Sequence, residues 1–183
     1  MTAKAHLPAP IVAHRDPLVV LRPAATAEDV ENLRRWKNAN RHAFLHTTEI
    51  TREQQAEWFR ALCRREDDDM YMVECGGNTV GCMGLRRLGD AADVYNVIRG
   101  RHDRGSRGAM SLALRALAET AAGRLRLPVR ARVLTGNPAR SWYEANGFVV
   151  VQTLPDHVVL EWVPAGHVPP GSRKPPPDQE DGA

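Results

Sequence analysis

The sequence predicts an α+β fold in which a mixed, mostly antiparallel sheet of six to seven strands is flanked by helices. Three observations predict this fold. Short apolar and β-branched runs recur along the chain, segments with helical spacing separate some of them, and two adjacent glycines mark a tight turn between two runs. The resulting order is one strand, two helices, three strands, a helix, a strand, a helix and two strands. Strand runs interrupted by helices indicate one sheet with helices packed against it.

The first part of the chain contains one strand and two helices. Leu18–Arg22 is a short β-type run that ends at a proline. A helix is expected after Thr26, with an apolar stripe that comprises Val30, Leu33 and Trp36. A second helix is expected to start at Thr51, because Gln54 at the third following position completes a capping box.

The remaining part supplies most of the sheet. The runs Met70–Cys75 and Thr79–Leu85 flank Gly76-Gly77-Asn78, which is a good hairpin signal. Val94–Ile98 is a further buried strand, and Ala109–Leu125 has a strong helical repeat of apolar residues. The last expected elements are the strand Val129–Leu134, the helix Ala139–Ala145 and the strands Phe148–Gln152 and His157–Trp162.

We expect one folded domain over residues 17–163. The 43% apolar and 26% charged residues are ordinary for a globular protein. Residues 1–16 are expected to form a flexible arm, and residues 164–183, which hold six prolines and three glycines, a disordered tail. No run of about 20 apolar residues or signal-type segment is present, so we expect no membrane partner.

The cysteines, histidines and charges narrow the function further. The three cysteines form no CxxC pair and favour a reducing, cytoplasmic location, and Cys82 reads as a small core residue. The histidines are scattered, so we expect no metal site. The net charge of +3 is too small to indicate nucleic-acid binding. Basic residues do cluster locally, at Arg99, Arg101, Arg104 and Arg107.

The basic cluster lies in a loop between a strand and a helix. Backbone N–H groups at a helix N-terminus bind phosphate oxygens, and a helix is expected to begin near Gly108. Gly100, Gly105 and Gly108 allow the backbone to bend towards a ligand. The loop is therefore a candidate anion site, although taken alone this pattern more often marks an ordinary connection with solvated arginines.

A second motif identifies a family. Asn137 follows a strand and leads into Tyr143-Glu144-Ala145-Asn146-Gly147-Phe148. Together with the loop, this segment resembles the GCN5-related N-acetyltransferase (GNAT) superfamily, and the resemblance extends from Leu18 to Trp162. The loop fits the family's R/Q-x-x-G-x-G/A motif in two registers, Arg104–Ala109 or Gly105–Met110. The spacing from Asn137 to Tyr143 is one residue shorter than is usual.

The resemblance implies an enzyme that transfers an acetyl group from acetyl-CoA to a primary amine, by direct attack in a ternary complex. It implies Tyr143 as the general acid that protonates the departing thiolate. The residues that it implies for cofactor binding are Asn96, Val97, Ile98, Arg104, Gly105, Ser106, Arg107, Gly108, Ala109, Met110 and Asn137.

The base and the acceptor stay open at this point. Asp93 or Glu74 is a candidate base, and a water relay or an amine that arrives unprotonated removes the need for one. Candidate acceptor-binding residues are Trp36, Asn38 and Glu49, with Trp36 alternatively a core anchor. The early helices resemble those of the branches that acetylate amino-sugar nucleotides and ribosomal-protein N-termini. A non-catalytic CoA-binding regulatory module is the other function considered, and we expect a monomer or homodimer.

Overall fold

The computed structural model describes residues 9–44, 47–101 and 105–164, and it confirms the α+β fold. Its strands are β1 (Ile11–Arg15), β2 (Leu18–Pro23), β3 (Asp68–Cys75), β4 (Asn78–Leu88), β5 (Ala91–Arg99), β6 (Val129–Leu134), β7 (Phe148–Thr153) and β8 (His157–Trp162). Its helices are α1 (Ala27–Ala39), α2 (Arg52–Leu62), α3 (Ala109–Leu125) and α4 (Ala139–Glu144), with a single 3₁₀ turn at Arg41–Ala43 after α1. No helix in these three ranges is long and apolar enough to cross a membrane.

The strands form one mixed sheet in the order β1-β2-β3-β4-β5-β6-β8-β7. Every neighbouring pair is antiparallel except β5 and β6, which are parallel and are joined through α3. The expected hairpin is present, and Gly76 and Gly77 have φ angles of 55° and 79°. These angles match a type I′ turn, which needs positive φ at both positions, and glycine adopts positive φ without strain.

The sheet has eight strands rather than the six to seven that were expected. The additional strand is β1, so the prediction of a flexible arm over residues 1–16 is wrong for Ile11–Arg15. This segment pairs with β2, and Ile11 and Ala13 pack against the core beside α3. Only these two alternate positions face inwards, which is too short a pattern to distinguish from a loose arm. Residues 1–8 and 165–183 lie outside the described residues, so the domain boundaries stay predictions.

The sheet is covered on both faces. Alternate residues of β3 point to opposite sides, and Tyr71 and Val73 belong to the large cluster that includes the apolar face of α3. Met70 and Met72 belong to the second cluster, which includes residues of α1 and α2. Cys82 is fully buried in this second cluster, which confirms its prediction as a core residue.

The start of α1 is fixed to the sheet by a partly buried ion pair. Arg22 on β2 donates two hydrogen bonds of 2.8 Å to Asp29, which also accepts from the backbone N–H groups of Ala25 and Thr26. Burial raises the pKa of Asp29, but these hydrogen bonds outweigh it and hold the pKa at about 2. The helix is therefore held in a fixed position relative to the sheet, and its last turn reaches β5.

Candidate active-site cleft

A cleft opens where the two parallel strands separate. Only Ala92–Val94 of β5 pair with Val129–Ala131 of β6. Beyond these residues β5 remains paired with β4, and β6 remains paired with β8. This separation leaves a cavity of about 550 Å³ that is lined by residues of both strands, the end of α1, the 3₁₀ turn and α4.

The backbone of β5 is irregular in the cavity wall. The pairing of β4 with β5 shifts register, so that Asn96 and Val97 both lie opposite Met83. Asn96 has a φ of 47°, a left-handed conformation that asparagine tolerates better than most residues. This bulge interrupts the regular strand ladder at the segment that was expected to contact the cofactor, Asn96–Ile98.

Tyr143 lies at the cleft on α4. Its ring is buried and packs edge-to-face against Trp142 and Phe148, at centroid distances of 5.1 and 5.2 Å. It also lines the cavity. Burial, with a smaller contribution from Asp93, raises the pKa of Tyr143 above its ordinary value. The phenol therefore keeps its proton throughout the neutral pH range, as a proton donor must.

The structure does not support the two carboxylates considered as a base. Asp93 lines the cavity but is only 4% exposed, and its Oδ2 accepts hydrogen bonds from Arg86 at 2.9 Å and Arg132 at 3.1 Å. Glu74 forms an ion pair with Arg22 and does not line the cavity. A carboxylate that two guanidinium groups already hold joins strands rather than accepting a proton from a substrate. The more direct explanation of Asp93 is structural.

A second cavity of about 290 Å³ lies at the N-terminus of α3. Gly108, the N-cap residue, has a φ of 83°, and no side chain of the described residues caps the helix. Trp142 forms part of the wall, where its Nε1 donates a 2.9 Å hydrogen bond to Ser111 Oγ. The two cavities share the wall residues Val97, Arg99 and Ala139, so they are adjacent. We call this pair of adjacent cavities the channel.

The channel contains most of the predicted cofactor residues. Asn96, Val97, Ile98 and Asn137 line the first cavity, and Ser106, Gly108 and Met110 line the second. Gly105, Arg107 and Ala109 lie in the same loop and helix start but line neither cavity. Arg104 lies outside the described residues.

The predicted acceptor residues do not line either cavity. Trp36 packs against Gly100 and belongs to the second core cluster. The Asn38 amide exchanges two 2.9 Å hydrogen bonds with the backbone of Ile50 and so fixes the connection between α1 and α2. Glu49 is exposed. The structure therefore favours the core-anchor interpretation of Trp36 and assigns Asn38 a structural role.

Gly100→Ala tests the role of Trp36. A Cβ at residue 100 would lie 2.0 Å from Trp36 Cε2, so the indole must move. We expect the free energy of unfolding in urea to fall by about 2 kcal/mol. The matched change Gly123→Ala, whose Cβ meets nothing within 4 Å, should not destabilise the protein. A Gly100→Ala protein as stable as the wild type would mean that Trp36 moves freely, which contradicts its role as an anchor.

Several cavity residues were missed by the sequence interpretation. They are Lys37, Phe44, Tyr95, Arg132 and His157. Lys37 directly follows Trp36, and the two side chains point about 100° apart around the helix. A single lysine near the end of an amphipathic helix is ordinarily solvated, so the sequence carried no signal for its inward position.

The comparisons with known proteins agree with this fold. The family model of the acetyltransferase (GNAT) domain matches residues 19–149. RimL, the ribosomal L7/L12 alpha-N-protein acetyltransferase, superposes with a TM-score of 0.69 and 16% identity, over 89% of this chain and 98% of its own. FdhC, a nucleotide-linked sugar GNAT, has a TM-score of 0.66 and 15% identity, over 79% and 85% of the two chains.

A third similar structure is the spermidine N-acetyltransferase from Vibrio cholerae in complex with CoA and spermine. Its TM-score is 0.65 at 18% identity, over 78% of this chain and 94% of its own. No curated protein sequence matches the chain. At these identities the structures show a shared fold, whereas the family model covers most of the chain. The chain therefore belongs to the GNAT acetyltransferase family.

Proposed function

We propose that the protein transfers an acetyl group from acetyl-CoA to the primary amine of a small-molecule acceptor, by direct attack in a ternary complex. One observation carries the proposal. The channel, formed by two adjacent cavities, extends from the N-terminus of α3 to the cleft between β5 and β6, where Tyr143 lies. Such a channel fits a long donor with phosphates at one end and a reactive thioester at the other.

The residues of the channel fit coenzyme A. No described side chain caps α3, and the backbone N–H of Met110 in its first turn has no hydrogen-bond partner among the described residues, so it is available for a pyrophosphate. Arg99 lines both cavities and adds a positive charge. The bulged segment Asn96–Ile98 and the Asn137 side chain line the cleft, where the pantetheine arm would lie.

The chemistry at the cleft needs few protein groups. Acetyl-CoA supplies the activated acetyl thioester. The backbone at the β5 bulge orients the acetyl group and polarises its carbonyl. As the amine nitrogen forms the amide bond and the C–S bond breaks, the departing thiolate takes up the Tyr143 proton, and the proton released by the nitrogen restores the phenol. Cys82 lies beside the bulge, but burial raises the pKa of its thiol to about 12. A neutral thiol is a poor nucleophile, which supports direct transfer over an acyl-cysteine route.

A nucleotide-linked amino sugar is the acceptor that we favour within this class. The early helices resemble those of the amino-sugar branch, and FdhC shares the fold over 79% of the chain. The second candidate acceptor is a protein N-terminus, which the similarity to RimL over 89% of the chain favours. A simple assay distinguishes the two candidate acceptors, because an enzyme specific for protein N-termini should acetylate short peptides in preference to amino sugars.

Calorimetric titration with CoA tests cofactor binding, and Gly108→Ala sharpens the test. At the φ of 83° a residue with a Cβ is strained by about 1–2 kcal/mol. The loop of the free variant therefore relaxes to another conformation, and CoA binding must restore the strained one at this cost. We expect CoA to bind the wild type and the affinity of Gly108→Ala to fall by about 5- to 20-fold. Gly123→Ala, within α3, should bind as the wild type does. Absence of binding at millimolar CoA refutes the proposed function.

A further inference from the structure

Lys37 reaches the cleft from the last turn of α1. Its Nζ donates a 2.6 Å hydrogen bond to Asn96 Oδ1, at the β5 bulge, and lies 3.1 Å from the centroid of the Phe44 ring. The side chain is thus held at the same place in the wall where the acetyl group is expected. It also lines the larger cavity.

The charge of Lys37 has no carboxylate partner among the residues that the structure describes. An amide oxygen and a ring face are its contacts, and burial lowers its pKa to about 8. A partly desolvated cation without a counter-ion is unfavourable, and an anion that binds beside it relieves this cost. The cleft therefore contains a built position for a negatively charged group.

The other charged residues that line the cavity are also mostly basic. Of the described residues that line it, Lys37, Arg86, Arg99 and Arg132 are basic, and Asp93 alone carries a carboxylate. Asp93 is already held by two of these arginines. No lining carboxylate is thus left to receive the extra positive charges of a polyamine.

We propose that Lys37 binds an anionic group of the acceptor, so that the substrate is an amine that also carries a phosphate or a carboxylate. This inference rests on the proposed function and names the substrate class of the same cleft. Arg99 is less suited to the role, because it also lines the cavity at α3 and is close to the cofactor phosphates.

Acetyl-CoA turnover with matched pairs of amines tests the proposal. UDP-glucosamine is compared with glucosamine, β-alanine with its amide, and spermidine serves as a polycation. We expect kcat/KM to be at least 10-fold higher for the anionic member of one pair, and the pair that shows this distinguishes phosphate from carboxylate. Spermidine should be the poorest acceptor.

Variants connect this preference to Lys37. Lys37→Met should lower kcat/KM for the anionic acceptor by about 10- to 100-fold and change kcat/KM for the pair member without the anionic group by less than threefold. Lys37→Arg keeps the positive charge and should retain part of the activity that Lys37→Met loses. Arg35→Met removes a charge from an exposed position of the same helix and should have no effect. Equal turnover of both members of each pair, or preference for spermidine, overturns the inference and leaves the acetyltransferase function standing. CoA binding without turnover of any amine overturns the proposed function, and the inference with it.

Discussion

Replacement of Tyr143 by Phe is expected to lower kcat by about 10²- to 10³-fold while the Kd for acetyl-CoA changes by less than about twofold. The phenylalanine ring keeps the edge-to-face contacts with Trp142 and Phe148, so the variant removes only the hydroxyl. The loss follows because the departing thiolate then has no positioned proton donor. Steady-state kinetics together with calorimetry separate the two quantities.

Tyr95→Phe is the matched control. Tyr95 lines the same cavity, but its hydroxyl donates to Asp68 Oδ1 at 2.5 Å and so has a structural partner. We expect kcat within about threefold of the wild type and a free energy of unfolding lower by about 1–2 kcal/mol. If Tyr143→Phe instead loses cofactor affinity and kcat to the same extent, Tyr143 packs the helix end and is not the acid.

Asp93→Asn is expected to lower the free energy of unfolding by about 3 kcal/mol, because it removes the negative charge between two basic side chains. Asp93 is buried, and Arg86 on β4 and Arg132 on β6 meet at its Oδ2. The carboxylate therefore joins the three strands at the point where the sheet begins to open. Urea denaturation measures the loss, and kcat of the folded variant should fall by less than about tenfold, as expected for a group outside the proton transfer.

The control for this charge removal is Asp90→Asn. Asp90 pairs with Arg130, but its side chain is 84% exposed, so the same chemical change should alter the free energy of unfolding by less than about 1 kcal/mol. The opposite pattern for Asp93→Asn, with stability unchanged and kcat lower by more than 100-fold, would show that Asp93 is the base after all.

Elements with strong local signals were predictable from sequence. α3 has the expected bounds, Ala109–Leu125, because its apolar repeat is long and Gly108 marks its start. The capping box of Thr51 and Gln54 is present as expected, since it depends on residues only three apart. β1 was missed because its burial depends on pairing with β2 and contact with α3, which no local pattern reveals.

The acceptor side of the cleft could not be predicted in the same way. The sequence interpretation selected Trp36 and Asn38 at the end of α1 as acceptor residues, whereas Lys37 of the same turn lines the cavity. Which side chain faces β5 depends on the rotation of α1 on the sheet, and the ion pair of Arg22 with Asp29 and the packing of Trp36 against Gly100 fix that rotation. The β5 bulge at Asn96 likewise arises from the register with β4, a long-range property.

The most direct test of acetyl transfer at this cleft measures free thiol and acetylated amine together. Wild-type protein is incubated with acetyl-CoA and the amine pairs described above, with Tyr143→Phe in parallel. We predict thiol release that depends on the amine, equals the amide product in amount, and is lost in the variant. If CoA binds but the rate of thiol release is the same with and without amine, the result contradicts acetyl transfer to amines and identifies a CoA-binding regulatory module instead.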